Sequence, residues 1–102
     1  MARIILEQSF DPPLSAEDEA AFAKRLDHCL EIRNGAWRRT SMSADRRRSI
    51  CEFEAPDAES VREALRTAKV PFDRVWTGNV YAVEDYPEHK AKLDALLARK
   101  IA

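Results

Sequence analysis

The chain has 102 residues, enough for one domain with one core. A formal net charge of -1 supplies no field that would recruit nucleic acid or an anionic membrane surface. Apolar runs last only a few residues, too few to cross a bilayer.

Arg3 to Phe10 predicts a first strand. Ile4, Leu6 and Phe10, with Gln8 between them, share one face, and Ile5, Glu7 and Ser9 share the other. Arg3-Ile4-Ile5-Leu6-Glu7 is too short an apolar run for a secretory leader, which leads to the expectation of a cytoplasmic protein. Asp11-Pro12-Pro13 breaks the strand. Ser15, followed by Asp18, reads as a helix start, and Glu17, Asp18 and Glu19 lie where the helix dipole favours negative charge. The helix is expected over Ala16 to Ile32, with Phe22, Leu26, Cys29 and Leu30 as its apolar stripe. Asn34-Gly35 stops it, with Gly35 suited to a left-handed cap.

Ala36 to Ser43 predicts a second strand, Ala44-Asp45-Arg46-Arg47 a hairpin loop, and Arg48 to Ala55 a third strand. Pro56 has no N–H for the ladder and ends that strand. Asp57 can cap a second helix over Ala58 to Lys69, whose stripe is Val61, Ala64, Leu65 and Ala68; Pro71 closes it. Asp73 to Val83 predicts a fourth strand, bent or bulged at Gly78. After Tyr86-Pro87, Leu93, Leu96, Leu97 and Ile101 keep helical spacing in a last helix that needs a surface to cover.

The order is β-α-β-β-α-β plus a C-terminal helix. This predicts an α+β, ferredoxin-like fold, with a four-stranded antiparallel sheet and two helices on one face. The expected division is a domain over 3–83 and an amphipathic helix over 87–102. The other sheet face is open, so a homodimer packing face on face, as a dimeric α/β barrel, is expected.

Fold leaves function open, so each user of this architecture is tested on its own residues. RNA-recognition modules stack bases on open-face aromatics. Here that face offers Ile5, Glu7, Ser9, Ile50, Glu52 and Glu54, and the carboxylates repel phosphate. Heavy-metal carriers need a thiolate pair in the first loop, and Ser9-Phe10-Asp11-Pro12-Pro13 has none. Iron–sulfur ferredoxins need clustered cysteines, whereas Cys29 and Cys51 lie far apart on apolar stripes and suit buried positions in a reducing compartment.

Arg39 and Glu52 are the first candidate pair. A four-residue loop sets Ser43 opposite Arg48 and, counting back, Arg39 opposite Glu52. Such a pair is a plain cross-strand contact or, in a dimer cavity, a group that holds a polar ligand or moves a proton. Glu7, on a short apolar strand, could join Glu52 and Glu54 in an acidic cluster with raised pKa values or a bound cation; solvent exposure is the simpler reading. Trp37 and Trp76 are expected at the dimer contact or pocket rim. His28 and His89 have no histidine partner at helical spacing and read as surface residues. The arginines 38, 39 and 46–48 could dock an acidic partner or simply solvate a turn.

Ser41-Met42-Ser43-Ala44-Asp45, Cys51-Glu52-Phe53-Glu54-Ala55-Pro56-Asp57 and Val61-Arg62-Glu63-Ala64 resemble a small ferredoxin-like family of unknown function that includes a nickel-binding protein from streptomycetes. Leu6-Glu7 leading to Phe10, and Pro71-Phe72-Asp73-Arg74-Val75, extend the resemblance, which covers residues 3 to 80. It implies the same fold, a dimer, and nickel or another divalent metal as cofactor. No histidine falls on a predicted strand, so no metal ligand is carried over.

These readings converge on a small dimeric ligand- or metal-binding accessory protein, with Glu7, Arg39, Glu52, Trp37 and Trp76 around its pocket. One alternative is a cofactor-free isomerase or monooxygenase-like enzyme, with Glu52 or Glu7 as base and Arg39 stabilising an anion. The other is a protein-interaction module built on the C-terminal helix.

Overall fold

The structure is a computed structural model that describes residues 1–101. The elements are β1 (Ala2–Ser9), α1 (Ala16–Glu31), β2 (Ala36–Met42), β3 (Arg48–Ala55), α2 (Ala58–Ala68), β4 (Arg74–Gly78), a 3-10 turn (Val83–Asp85) and α3 (Pro87–Ile101). The strands form one antiparallel sheet in the order β2-β3-β1-β4, the ferredoxin-like arrangement.

Strand alternation builds the core. Ile4 and Leu6 of β1, Cys51, Phe53 and Ala55 of β3, and Val75 of β4 point to the helical side and are buried. Leu26, Cys29 and Leu30 of α1 meet them there, with Phe22 partly buried beside them. Val61, Ala64, Leu65 and Ala68 give α2 a fully apolar inner stripe. Truncating the fully buried Phe53 to Ala would cost about 3–5 kcal/mol.

Both helix starts carry the expected caps. Ser15 Oγ accepts from the Asp18 N–H at 3.0 Å, and the Asp57 carboxylate accepts from the Ser60 N–H at 2.7 Å. The end of α1 differs from expectation. Asn34, not Gly35, is left-handed, with φ 59°. Gly35 serves instead for close approach, since a Cβ there would lie 3.2 Å from Leu30 Cδ2. Lys69 ends α2 in the left-handed region, one residue before Val70 N–H returns to Leu65 O.

The strand ends differ from prediction. β1 is shifted one residue earlier and stops at Ser9, where the Phe10 N–H turns to Arg47 O, and β2 stops at Met42 rather than Ser43. β4 stops at Gly78 rather than Val83, and it is not bulged there. Among the described residues it pairs only with β1, and Gly78 already pairs with Arg3, so almost no ladder is left to join. The irregularity lies in β2, where the register shifts between Trp37 and Arg39.

Among the described residues, α3 touches only the 3-10 turn. The radius of gyration is accordingly 16.0 Å, against about 13 Å for a compact chain of this length. Leu93, Leu96 and Leu97 stay exposed along α3. The side chain of Ile101, expected on the same stripe, lies outside the described residues. No described helix is long and apolar enough to cross a membrane.

Candidate functional site

The hairpin loop sets the register of the open face. Ser43 N–H donates to Arg48 O, and Arg39 then pairs with Glu52, as the loop length requires. The bulge keeps Arg38 on the same side, so both arginines reach the carboxylates of β3.

Glu52 is the hub. Arg39 Nε donates to its Oε2 at 2.6 Å and Arg3 Nη1 to its Oε1 at 2.9 Å. Arg3 Nε also donates to Glu54 Oε1 at 2.8 Å, and Arg38 lies 3.5 Å from the same oxygen. The Glu52 side chain is only 14% exposed, so these partners hold a largely covered charge. The Arg39 hydrogen bond, assisted by Arg3, keeps the Glu52 carboxyl below the ordinary glutamate range. The carboxylate partners in turn raise Arg3. The alternative of an acidic cluster with raised pKa values is not what the residues form: Arg3 bridges Glu52 and Glu54, and the shift of Glu52 is downward.

Glu7 stands apart from this network and accepts from Trp76 Nε1 at 2.9 Å. The Trp76 ring lies back over Gly78, where a Cβ would come within 2.8 Å of Cζ3, and Ile5 lies beneath. Trp76 remains 45% exposed, and Ile50, across β1 on the same face, 49%. Glu7, Arg39, Glu52 and Trp76 thus share the open face.

Trp37 does not join them. It pairs with Phe53 and faces the helical side, because the bulge falls between it and Arg39. Its Nε1 donates to Thr40 Oγ1 at 2.9 Å, Thr40 Oγ1 donates to Cys51 Sγ at 3.1 Å, and Ser49 Oγ donates to Gln8 Oε1 at 3.0 Å. Gln8 Nε2 completes the series by donating to Pro71 O at 2.8 Å. Burial pushes the Cys51 thiol up.

Two grooves follow from this geometry. One, of about 930 Å³, lies on the open face between Glu7, Ser9, Ser41, Ser43, Arg48 and Arg74. Of the five pocket residues expected from sequence, Glu7 alone lines it. The other, of about 670 Å³, lies between α1 and β2 and includes Trp37. Sequence reading noted Arg48 in the basic hairpin but missed Arg74 as a groove residue and Arg3 as a partner of Glu52; the period-two spacing of Arg3, Ile5 and Glu7 on β1 was the available signal for Arg3. The hairpin arginines are partly committed, Arg46 to Glu19 at 2.6 Å and Arg47 to Asp11 at 3.0 Å. His28 and His89 are exposed.

The donor set of the chain does not fit a metal ion. Among the described residues, no group of three or more His, Cys, Asp or Glu side chains could hold one. Glu52 and Glu54 are already engaged by arginine.

The crystal structure of SCO4226 from Streptomyces coelicolor A3(2) superposes with a TM-score of 0.71 at 14% identity, over 79% of this chain and all of that one, 100%. At that identity the likeness concerns the fold. No curated protein matches. The family described as nickel responsive protein SCO4226-like matches residues 5–77, which span β1 to β4. The chain belongs to the SCO4226-like family of nickel responsive proteins.

Proposed function

We propose that this is a dimeric accessory protein that binds a small hydroxy acid on the open face of its sheet. The observation that carries this reading is the groove of about 930 Å³, a size that suits a small-molecule ligand. Its two arginines, Arg48 and Arg74, take part in none of the ion pairs of the described residues. They suit a carboxylate. Glu7, Asp73 and the hydroxyls of Ser9, Ser41 and Ser43 suit ligand hydroxyl groups. A second copy laid on Ile50 and Trp76 would close the groove and exclude water.

Enzymatic proton transfer is less well supported. Glu52 is held as a stable anion by Arg39 and Arg3, the reverse of a base poised near neutrality. Nickel responsiveness, carried by the family description, is retained as a property to test and not as a step in the binding.

Isothermal titration with gluconate tests the reading, with acetate and glycerol as carboxylate-only and hydroxyl-only probes. Gluconate binding that exceeds both and falls at least tenfold in Arg48→Ala or Arg74→Ala is the expected result. Heat from none of the three, or no response to either substitution, overturns it. Equilibrium dialysis against nickel chloride runs in parallel. Stoichiometric nickel retained by the protein and lost with gluconate binding in Glu7→Gln would make the groove a metal site instead.

A further inference from the structure

The inner side of β2 is only partly covered. Helix α1 packs on α2 and touches β2, yet Trp37 stays 57% exposed, Thr40 exposed and Met42 half-buried. The groove of about 670 Å³ beside them has β2 as one wall and α1 as the other. Ala16, Ala20 and Ala23 lie at helical spacing on that α1 wall and are exposed. Small side chains there let another helix axis approach to roughly the 8–10 Å of packed helices.

The same chain carries an unpartnered helix of matching form. Leu93, Leu96 and Leu97 line one side of α3 and are exposed. At 15 residues α3 is about 22 Å long, and β2 with 7 residues spans about 23 Å. Charge agrees too. The α1 wall presents Asp27 and the Arg46-paired Glu19 beside Lys24 at the groove, and the helix as a whole is acidic, with Glu17, Asp18 and Glu31 outweighing Lys24 and Arg25. Helix α3 presents Lys92 and Arg99 beside its leucines.

Topology argues for another molecule as the source. β4, from which α3 departs, and β2 are opposite edges of the sheet. Among the described residues α3 touches only the 3-10 turn. We infer that the groove between α1 and β2 receives helix α3 of a second copy of this chain, so that two copies exchange C-terminal helices about a two-fold axis. Each such dimer contains the contact twice. The two grooves share Gln8, Met42 and Ser49, but Arg48 and Arg74 line only the ligand groove and Trp37 and the α1 alanines only this one, so either reading can fail alone.

Trp37 reports on the groove. In full-length Trp76→Phe it is the sole tryptophan, and its emission is followed against protein concentration, with mass from light scattering. The expected result is a blue shift that rises with the dimer fraction. Leu96→Glu combined with Leu97→Glu, or Ala23→Arg on the α1 wall, should return the emission to that of an exposed indole. These positions are exposed, and circular dichroism checks that the variants remain folded. Loss of the blue shift in a surviving dimer still supports exchange, with the open face holding the copies together. Red emission at every concentration overturns the inference, as does blue emission in a monomer or blue emission that survives both sets of substitutions.

Discussion

Arg39 faces Glu52 across the β2–β3 ladder, its Nε 2.6 Å from Oε2, with Arg39 64% and Glu52 14% exposed. The pair is asymmetric. Arg39 is a solvated cation with one partner, whereas Glu52 is a covered anion with two. Arg39→Ala should therefore cost below about 1 kcal/mol, the range of exposed pairs. Glu52→Ala should cost about 1–2 kcal/mol, because it removes a charge-assisted hydrogen bond to each of two arginines. Urea unfolding of both variants gives the comparison, and equal losses would contradict the asymmetry.

Acid stability follows from the same carboxylate. Glu52 titrates below its ordinary 4.5 in the folded chain, so the unfolded chain takes up the proton first as pH falls. Its contribution is complete above that ordinary value and is lost as pH drops through the lowered folded value. Glu52→Gln should lose stability at pH 7 and show a flatter decline between about pH 5 and pH 3. Asp57 and Glu59, also lowered, by the Ser60 backbone N–H and by Arg66 respectively, keep their share of the decline in that variant. Urea midpoints across this range test the sign.

The fold was legible because Ile4 and Leu6, Cys51 and Phe53, and Val61, Ala64 and Leu65 keep the period of the element that buries them. Arg39 opposite Glu52 was legible because loop length fixes register. Trp37 was misplaced because one bulge residue reverses the faces beyond it, and nothing in Ala36-Trp37-Arg38-Arg39 marks a bulge. The acidic cluster that Glu7 could have formed with Glu52, as an alternative to solvent exposure, does not form, because the two lie two positions apart along the ladder. Ile5 is the residue that faces Glu52, and Glu7 faces Ile50. The ends of β4 and the exposure of α3 depend on which neighbours remain to pair with, which local pattern does not encode.

Gln8 is the buried polar residue that the apolar pattern of β1 does not explain. Its amide donates to Pro71 O and accepts from Ser49 Oγ. Gln8→Ala should cost about 2–3 kcal/mol, since it opens a small cavity and leaves a carbonyl and a hydroxyl without their partner. Adding Ser49→Ala to it should cost less than the sum of the two single changes, since they share one hydrogen bond. Additive losses in a double-mutant cycle would show that the bond carries no coupling.

Gly78 makes room for a side chain two residues earlier. A Cβ at this position would lie 2.8 Å from Trp76 Cζ3 and 3.3 Å from Ile5 Cγ1, and the indole is the group free to move. Gly78→Ala should therefore swing Trp76 outward and break its 2.9 Å hydrogen bond to Glu7. With Trp37→Phe as background, Trp76 emission should shift to the red while the fold is retained. Unchanged emission would place the strain elsewhere in β4.

Cys51 is a buried thiol that a test of nickel responsiveness has to account for. Thiolate, not thiol, is the metal ligand and nucleophile. Burial raises the Cys51 thiol above its ordinary range, outweighing the Thr40 and Ser49 hydrogen bonds that favour the anion. The side chain is 8% exposed and lies beneath Thr40. Iodoacetamide at pH 8 should modify Cys51 at least about tenfold more slowly in the folded protein than in guanidinium, as resolved from Cys29 by peptide mass spectrometry. Nickel chloride should leave the folded-state rate unchanged. Protection of Cys51 by nickel beyond its own burial would mean that the metal draws out the thiolate. The Trp37–Thr40–Cys51 series would then be a metal-responsive element rather than a packed layer of the sheet.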